Sequence, residues 1–337
     1  MTAKWRTLTW VLAIAFAVLA AGVAIYRFNT PRAAPLKPLV WGGPKNISFL
    51  PIIAEQKGFF RAEGLAVRPN YLQTGKVAMD ALISGDLNFA VIVETNIAFV
   101  KFQEGADVKV IASVIRKHDD AIMARRDQGI QTPKDLEGKT LALVPGTTSH
   151  RFADLFIDFY KLDRKKIRFL SLTAPSIQAS VLNGSIPAGS VWEPYRYDVQ
   201  QALDGKLVQF NDPRIYTAYG LLAVRGDFAK AEPVRIRSFL KALIRAEAFI
   251  GDHRDEAITI LAKEMEMDPA VLTAIWGSYE PSVQGDEALS DVFAGTGQWA
   301  KATQKGLESK PVPAYTDVLD FSFLRRVDAT RITSPAK

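Results

Sequence analysis

The chain has 337 residues, a formal net charge of +6 and no cysteine, and 48% of its residues are hydrophobic. That length argues for roughly two domain-sized units with enough apolar content for sizeable cores. The lack of cysteine excludes disulfides, thiolate metal sites, iron–sulfur ligation and a cysteine nucleophile.

The positive excess is local. Lys4, Arg6, Arg27, Arg32, Lys37 and Lys45 precede residue 46 with no acid among them, which leaves residues 46–337 formally neutral. A nucleic-acid binder would carry its excess on the folded surface, so nucleic acid is excluded as a partner. Residues 8–26, LTWVLAIAFAVLAAGVAIY, hold no charge. At ~1.5 Å per residue they span roughly 28 Å as a helix, close to the hydrocarbon core of a bilayer. Trp5, Trp10 and Tyr26 stand where interfacial aromatics belong. Two readings follow: an uncleaved anchor in the inner membrane, or a cleaved secretory signal with small residues such as Ala20-Ala21-Gly22, although no cleavage site stands out. Either one exports the remainder. NTPRAAPLKP (29–38) reads as a proline-rich linker.

From residue 39 short apolar runs alternate with longer amphipathic segments, the signature of an α/β protein. The pattern predicts strands at Leu39–Trp41, Ala66–Tyr71, Phe89–Val93, Val108–Val114, Thr140–Val144, Ile167–Ser171, Gly189–Trp192 and Tyr219–Val224. Helices are expected over Lys76–Ser84, Asn96–Gln103, Ser149–Tyr160, Ser176–Asn183, Pro194–Leu203 and Val234–Asp252. The last hundred residues read as mainly helical, with Phe239, Leu240, Leu243, Ile244 and Phe249 at core spacing.

An internal echo stands out. ALISGDLNFAVIVET (81–95) and SVLNGSIPAGSVWEP (180–194) align with Gly85 on Gly184 and Glu94 on Glu193. Each reads as a helix ended by glycine, a turn, a strand and a carboxylate where the next helix begins. Two lobes built on one unit would place both carboxylates at strand C-terminal ends, where open α/β sheets bind ligands. Either glutamate could instead cap its following helix. A second feature is LVPGTTS (143–149), a strand that delivers Thr147, Thr148 and Ser149 to a helix N-terminus. Free N–H groups and hydroxyls there suit an anion, although Ser and Thr also cap helices with no ligand at all. No GxxxxGK[ST] is present, so this is no P-loop.

LPIIAEQKGFFRAEGL (50–65), ALISGDLNFAV (81–91), DLEGKTLALVPGTTS (135–149) and SVWEPYRYD (190–198) follow one another as in the substrate-binding proteins of ABC importers. Over roughly residues 40–250 the chain resembles the nitrate, sulfonate, taurine and pyrimidine-precursor type. The resemblance implies an α/β, two-lobed periplasmic-binding-protein fold of type II, each lobe a mixed sheet flanked by helices, preceded here by a hydrophobic N-terminal helix. It divides the chain into a leader and linker (1–38), a discontinuous first lobe (39–118 and 224–330) and a second lobe (119–223). It also implies a monomeric periplasmic receptor, tethered or released, that needs no cofactor. Such a receptor closes on a small solute and delivers it to a permease and its ATPase. Carried onto this sequence, the site would comprise Ser48, Phe49, Leu50, Thr74, Glu94, Thr95, Thr147, Thr148, Ser149, Trp192, Glu193 and Tyr219.

This chain departs from the family's pattern in two places. Val93-Glu94-Thr95-Asn96 stands where relatives often show G-x-x-P, and Pro187-Ala188 where many have Asp-Ala. With Glu94 and Glu193 facing the cleft, the expected ligand would be organic and would carry an amine, hydroxyl or heterocyclic N–H, alongside the sulfonate class. Trp41, Phe49, Trp192, Tyr195 and Tyr219 would offer a flat, apolar surface to it. A membrane-tethered sensor is the alternative. Enzymes on the same fold that make the thiamine pyrimidine use a cysteine-rich iron motif, which this chain does not have. His118, His150 and His253 show no metal spacing. His118-Asp119-Asp120 reads as an exposed hinge turn and Arg125-Arg126-Asp127 as a polar turn; His150 falls in the first helical turn past GTTS, where contact with the ligand is left open.

Overall fold

A computed structural model describes residues 38–103 and 106–333. Residues 8–26 therefore lie outside the described residues, and among the described residues no helix is long and apolar enough to cross a membrane.

Among the described residues, twelve strands form two mixed sheets. The first has the order β12-β11-β4-β10-β3-β1-β2, from β1 (Leu39–Gly43), β2 (Val67–Tyr71), β3 (Phe89–Val93), β4 (Val108–Lys117), β10 (Ala218–Arg225), β11 (Tyr279–Asp286) and β12 (Ile332–Thr333). The second has the order β7-β6-β8-β5-β9, from β5 (Ala121–Arg125), β6 (Thr140–Leu143), β7 (Arg168–Ser171), β8 (Ala188–Val191) and β9 (Leu207–Phe210). The chain passes to the second sheet between β4 and β5 and returns between β9 and β10. The helices that bear on the site are α1 (Phe49–Gln56), α2 (Gly75–Ser84), α3 (Glu94–Val100), α4 (Thr148–Phe159), α5 (Ala174–Leu182), α6 (Tyr195–Ala202), α7 (Pro233–Asp252) and α8 (Leu289–Thr303).

The echo in the sequence is an echo in the topology. The run β2-β1-β3-β10-β4 pairs parallel, parallel, antiparallel, antiparallel. The run β7-β6-β8-β5-β9 repeats that order of senses. Gly85 and Gly184 end α2 and α5 at φ of 91° and 77°, a region open to glycine at little cost. In each lobe an arginine at the end of a neighbouring strand caps the same helix end. Arg225 donates to the carbonyls of Leu82 and Leu87, and Arg125 to those of Val181 and Leu182. Each arginine is steadied by the aspartate two residues on, Asp227 or Asp127. What reads in the sequence as a polar turn at 125–127 is half of a repeated C-capping device, which satisfies carbonyls that a helix end leaves open.

Cores lie on both faces of each sheet. Against the first, α7 presents Ile236, Phe239, Leu240, Leu243 and Ala246, spaced at three and four residues. Phe239 stacks on Phe89 with ring centroids 3.9 Å apart. Four strands escape the sequence pattern. β5 reads AIMAR, whose Ala and Met favour helix, but pairing with β8 and β9 on either side decides its state. β9 and β12 are too short to show a period. β11 contains Pro281, which argues against a strand; its pairing with β4 breaks register between Pro281 and Gln284, which accommodates the missing N–H. The last hundred residues are therefore less uniformly helical than their pattern suggests.

Candidate functional site

A cavity of about 620 Å³ takes its walls from segments attached to both sheets. From the first sheet come the η-turn after β1 (Pro44, Asn46, Ile47), the start of α2 (Thr74, Gly75), one side of α3 and the end of β4 at Lys117. From the second come Val144–Thr148 and Trp192. Local rules explain why these residues stand there. Thr74 is the N-cap of α2, and its hydroxyl accepts from the Val77 N–H at 3.3 Å. Thr147 is the N-cap of α4, and its hydroxyl donates to the Val144 carbonyl at 2.7 Å. The first turn of such helices holds N–H groups without an intrahelical partner, on the positive side of the helix dipole.

Thr95 stands in the first turn of α3. Its side chain is fully buried and its Oγ1 has no hydrogen-bond partner among the described residues, yet the residue lines the cavity. Its neighbour Asn96 accepts from the Val93 N–H at 3.0 Å and so fixes the start of α3. A Cβ on Gly75 would fall 2.2 Å from Asn96 Oδ1, so glycine is what lets α2 and α3 begin side by side.

A buried charge cluster backs the cavity. Lys117 is 2% exposed and pairs with Asp119, and Asp120 lies at 3.7 Å. Asp120 also accepts from the Thr148 hydroxyl at 2.9 Å. Burial pushes the Asp120 carboxyl up to about 7, against the pull of Lys117. Burial by itself would depress the Lys117 ammonium, but Asp119 and Asp120 together hold it above its ordinary value. The sequence reading of 118–120 as an exposed turn is thus corrected. Asp119 and Asp120 are buried because they answer the charge of Lys117, and only His118 is partly open, between Glu280 at 3.4 Å and Thr217 at 3.3 Å.

Of the twelve residues nominated from the sequence, Thr74, Thr95, Thr147, Thr148 and Trp192 line the cavity, and the other seven do not. Ser48 binds back to the Pro44 carbonyl, and Phe49 is core against Trp276 and Tyr279. Leu50 is buried in the same core, and the wall comes from Pro44, Asn46 and Ile47 instead. Ser149 is spent on the Ser190 carbonyl at 2.7 Å. Glu94 is wholly buried and accepts from the Tyr216 hydroxyl and the Tyr219 N–H; burial raises its pKa. The backbone N–H of Tyr219 meets Glu94, and its side chain packs against the core that holds Leu221 and Phe293. Glu193 accepts from Arg196 at 2.6 Å and from the Tyr197 N–H at 2.9 Å, as a cap of α6. Trp41 belongs to the core. His150 accepts from the Gly146 N–H at 3.3 Å and packs edge-on to Trp299, outside the wall. Burial lowers its pKa.

Sequence reasoning missed Lys117, Asn96, Phe99, Phe102, Leu307 and Lys310. Lys117 left one signal, a lysine closing the long apolar strand VKVIASVIRK. The others left none, since their meeting depends on α8 and the segment after it returning to α3.

A family model described as NMT1/THI5 like matches residues 46–257. The chain belongs to this family. As an NMT1/THI5-like protein it is 25% identical over 303 residues to a Bacillus subtilis (strain 168) protein named for binding aliphatic sulfonates, covering 86% of this chain and 88% of that one. It is 24% identical to the taurine-binding periplasmic protein of Escherichia coli K12 over 56% of this chain and 59% of the other. Its fold matches the periplasmic aliphatic sulphonate binding protein SsuA from Escherichia coli with a TM-score of 0.71 at 18% identity, over 83% and 98% of the chains. The alkanesulfonate-binding SsuA of Xanthomonas axonopodis pv. citri, bound to MOPS, matches at 0.70 and 20%, over 90% and 100%. The NMT1/THI5-like segment contains all five nominated wall residues, whereas Gln304, Leu307 and Lys310 lie beyond it.

Proposed function

We propose that this protein is the periplasmic solute receptor of an ABC importer and that it binds an organic sulfonate between two lobes, 39–118 with 224–330 and 119–223. Thr95 carries the reading: a buried hydroxyl with no protein partner, in a cavity wall that also holds the N-termini of α2 and α4, awaits an acceptor from outside the chain. An unmatched polar group costs about 1–3 kcal/mol unless a ligand satisfies it. A sulfonate offers three acceptor oxygens to the Thr95 hydroxyl and to the first-turn N–H groups, the Thr148 hydroxyl being already given to Asp120. Lys117 stands in the same wall with its charge answered by Asp119, so the positive ends of the helix dipoles are what favour the anion. Neither Glu94 nor Glu193 lines the wall, so the earlier ground for an amine ligand falls away. Asp80, the acid that does line it, is paired with Lys76 at 2.6 Å.

Binding draws the lobes together about the connections at 118–120 and 211–217, because contacts made by both lobes favour the closed state. No bond is broken, in keeping with relatives named as binding proteins. A permease and its ATPase would take the solute onward. Titration calorimetry of the full chain with ethanesulfonate, nitrate and ethylamine tests the reading. Ethanesulfonate should bind, and Thr95→Val should weaken it at least tenfold while leaving the ligand-free protein as stable or more so. Binding of ethylamine with sulfonates silent, or an unaltered Thr95→Val, would overturn it.

A further inference from the structure

The cavity is larger than a short sulfonate needs, and the wall along α3 is carbon from Phe99 to Phe102. α3 runs along it from Thr95 at the polar end, past Phe99 and Val100, to Phe102 just beyond the helix. At ~1.5 Å per residue, Thr95 and Phe102 stand about 10 Å apart along that wall. Leu307 completes the apolar stretch, and Lys310 closes it, tied to the Phe102 carbonyl at 3.2 Å. Both of these residues come from the part of the chain beyond the family segment.

Resting on the sulfonate reading above, we propose that the ligand is an amphiphilic sulfonate of hexyl to octyl length, its head at Thr95 and its tail on Phe99, Phe102 and Leu307. A tail so placed leaves water for a wall of aromatic and aliphatic carbon, whereas ethanesulfonate would reach only the polar end. Leu307 is then a specificity residue: it touches the end of the tail and sets how long a tail fits.

Affinity measured for the ethane-, butane-, hexane-, octane- and decanesulfonates with the full chain decides the matter. Each added methylene should tighten binding about three- to fourfold up to octane, and decane should gain nothing further. Leu307→Trp, which fills the far end, should reduce the octane-to-ethane affinity ratio at least tenfold. Octyltrimethylammonium, with the same tail and the opposite head, should not bind. A flat series with ethanesulfonate bound as tightly as octanesulfonate would overturn the tail site and leave the receptor intact. Silence of every sulfonate would overturn both, and binding of the cation as tight as that of octanesulfonate would overturn the head-and-tail orientation.

Discussion

Trp299 on α8 and Asp154 on α4 join the helices packed on the two sheets through a buried hydrogen bond. The indole N–H donates to Asp154 Oδ2 at 2.7 Å, and the two residues are 6% and 5% exposed. α8 packs with the first sheet's core through Leu289 and Phe293, and α4 with the second sheet's through Phe152 and Phe156. Trp299→Phe removes the donor and keeps most of the ring surface that meets Phe99 and His150. Asp154 retains Arg164, with His150 at 3.4 Å, so no carboxylate is stranded. A hydrogen bond to a charged acceptor contributes about 1.5–3 kcal/mol. If that falls wholly on the joined arrangement, closure loses about 2 kcal/mol, roughly a 30-fold factor. Where the closed form is the minor one without ligand, the whole factor passes into affinity. Ethanesulfonate affinity by calorimetry, read beside the radius of gyration of the ligand-free protein by small-angle scattering, checks this. The expected result is binding weaker by up to that factor, with the ligand-free radius little changed where the open form already predominates. A variant with a lowered melting temperature but wild-type affinity would refute the assignment, because the bond would then support folding rather than closure.

Asp120 gives a pH prediction. Its carboxyl sits near 7 in the folded protein against an ordinary value of 3.8, so the folded state holds a proton that the unfolded chain has released between those values. Stability from this group is full below about pH 4 and is lost as pH rises through 7, by up to about 4 kcal/mol. Asp120→Asn should gain on the wild type as pH rises from 4 to 8 in urea unfolding, with the difference levelling off above 7. A variant weaker than wild type at pH 8 would show that the ionised Asp120 is needed to hold Lys117. Gly75→Ala should destabilise by about 1–3 kcal/mol through overpacking against Asn96. Adding Asn96→Ala should recover much of that loss, and a double variant as weak as the sum of the two single changes would refute the contact.

What the sequence discloses depends on whether the physics is local. Gly85 and Gly184 announce themselves because a left-handed helix end asks for glycine, and the threonines at 74 and 147 because helix starts ask for hydroxyls. Thr95 was legible by position alone; its lack of a partner is a tertiary fact. Glu94 and Glu193 stand where expected in the chain, but their direction is set by Tyr216, 122 residues from Glu94, and by Arg196, one helical turn on from Glu193. The burial of Asp119 and Asp120 was hidden for the same reason. A pair of aspartates reads as solvated until the lysine beside them is known to be enclosed. The far end of the cavity, from Phe99 to Lys310, joins segments more than 200 residues apart and has no local trace.

The double crossing between sheets also orders events in time. Everything in the second sheet, from β5 to β9, is contiguous within 121–210, whereas β10 must reach back across that whole insertion to lie between β3 and β4. Loop closure over such a distance is slow compared with pairing inside a short segment. As the chain emerges from its N-terminus, the first sheet waits with β3 and β4 separated by an empty berth, while the second can assemble on its own. Until β10 is delivered, the apolar edges of β3 and β4 are open to other chains. A partner that shields this interval during export would act on the first lobe, and a truncation before residue 218 would leave that lobe aggregation-prone with the second one folded.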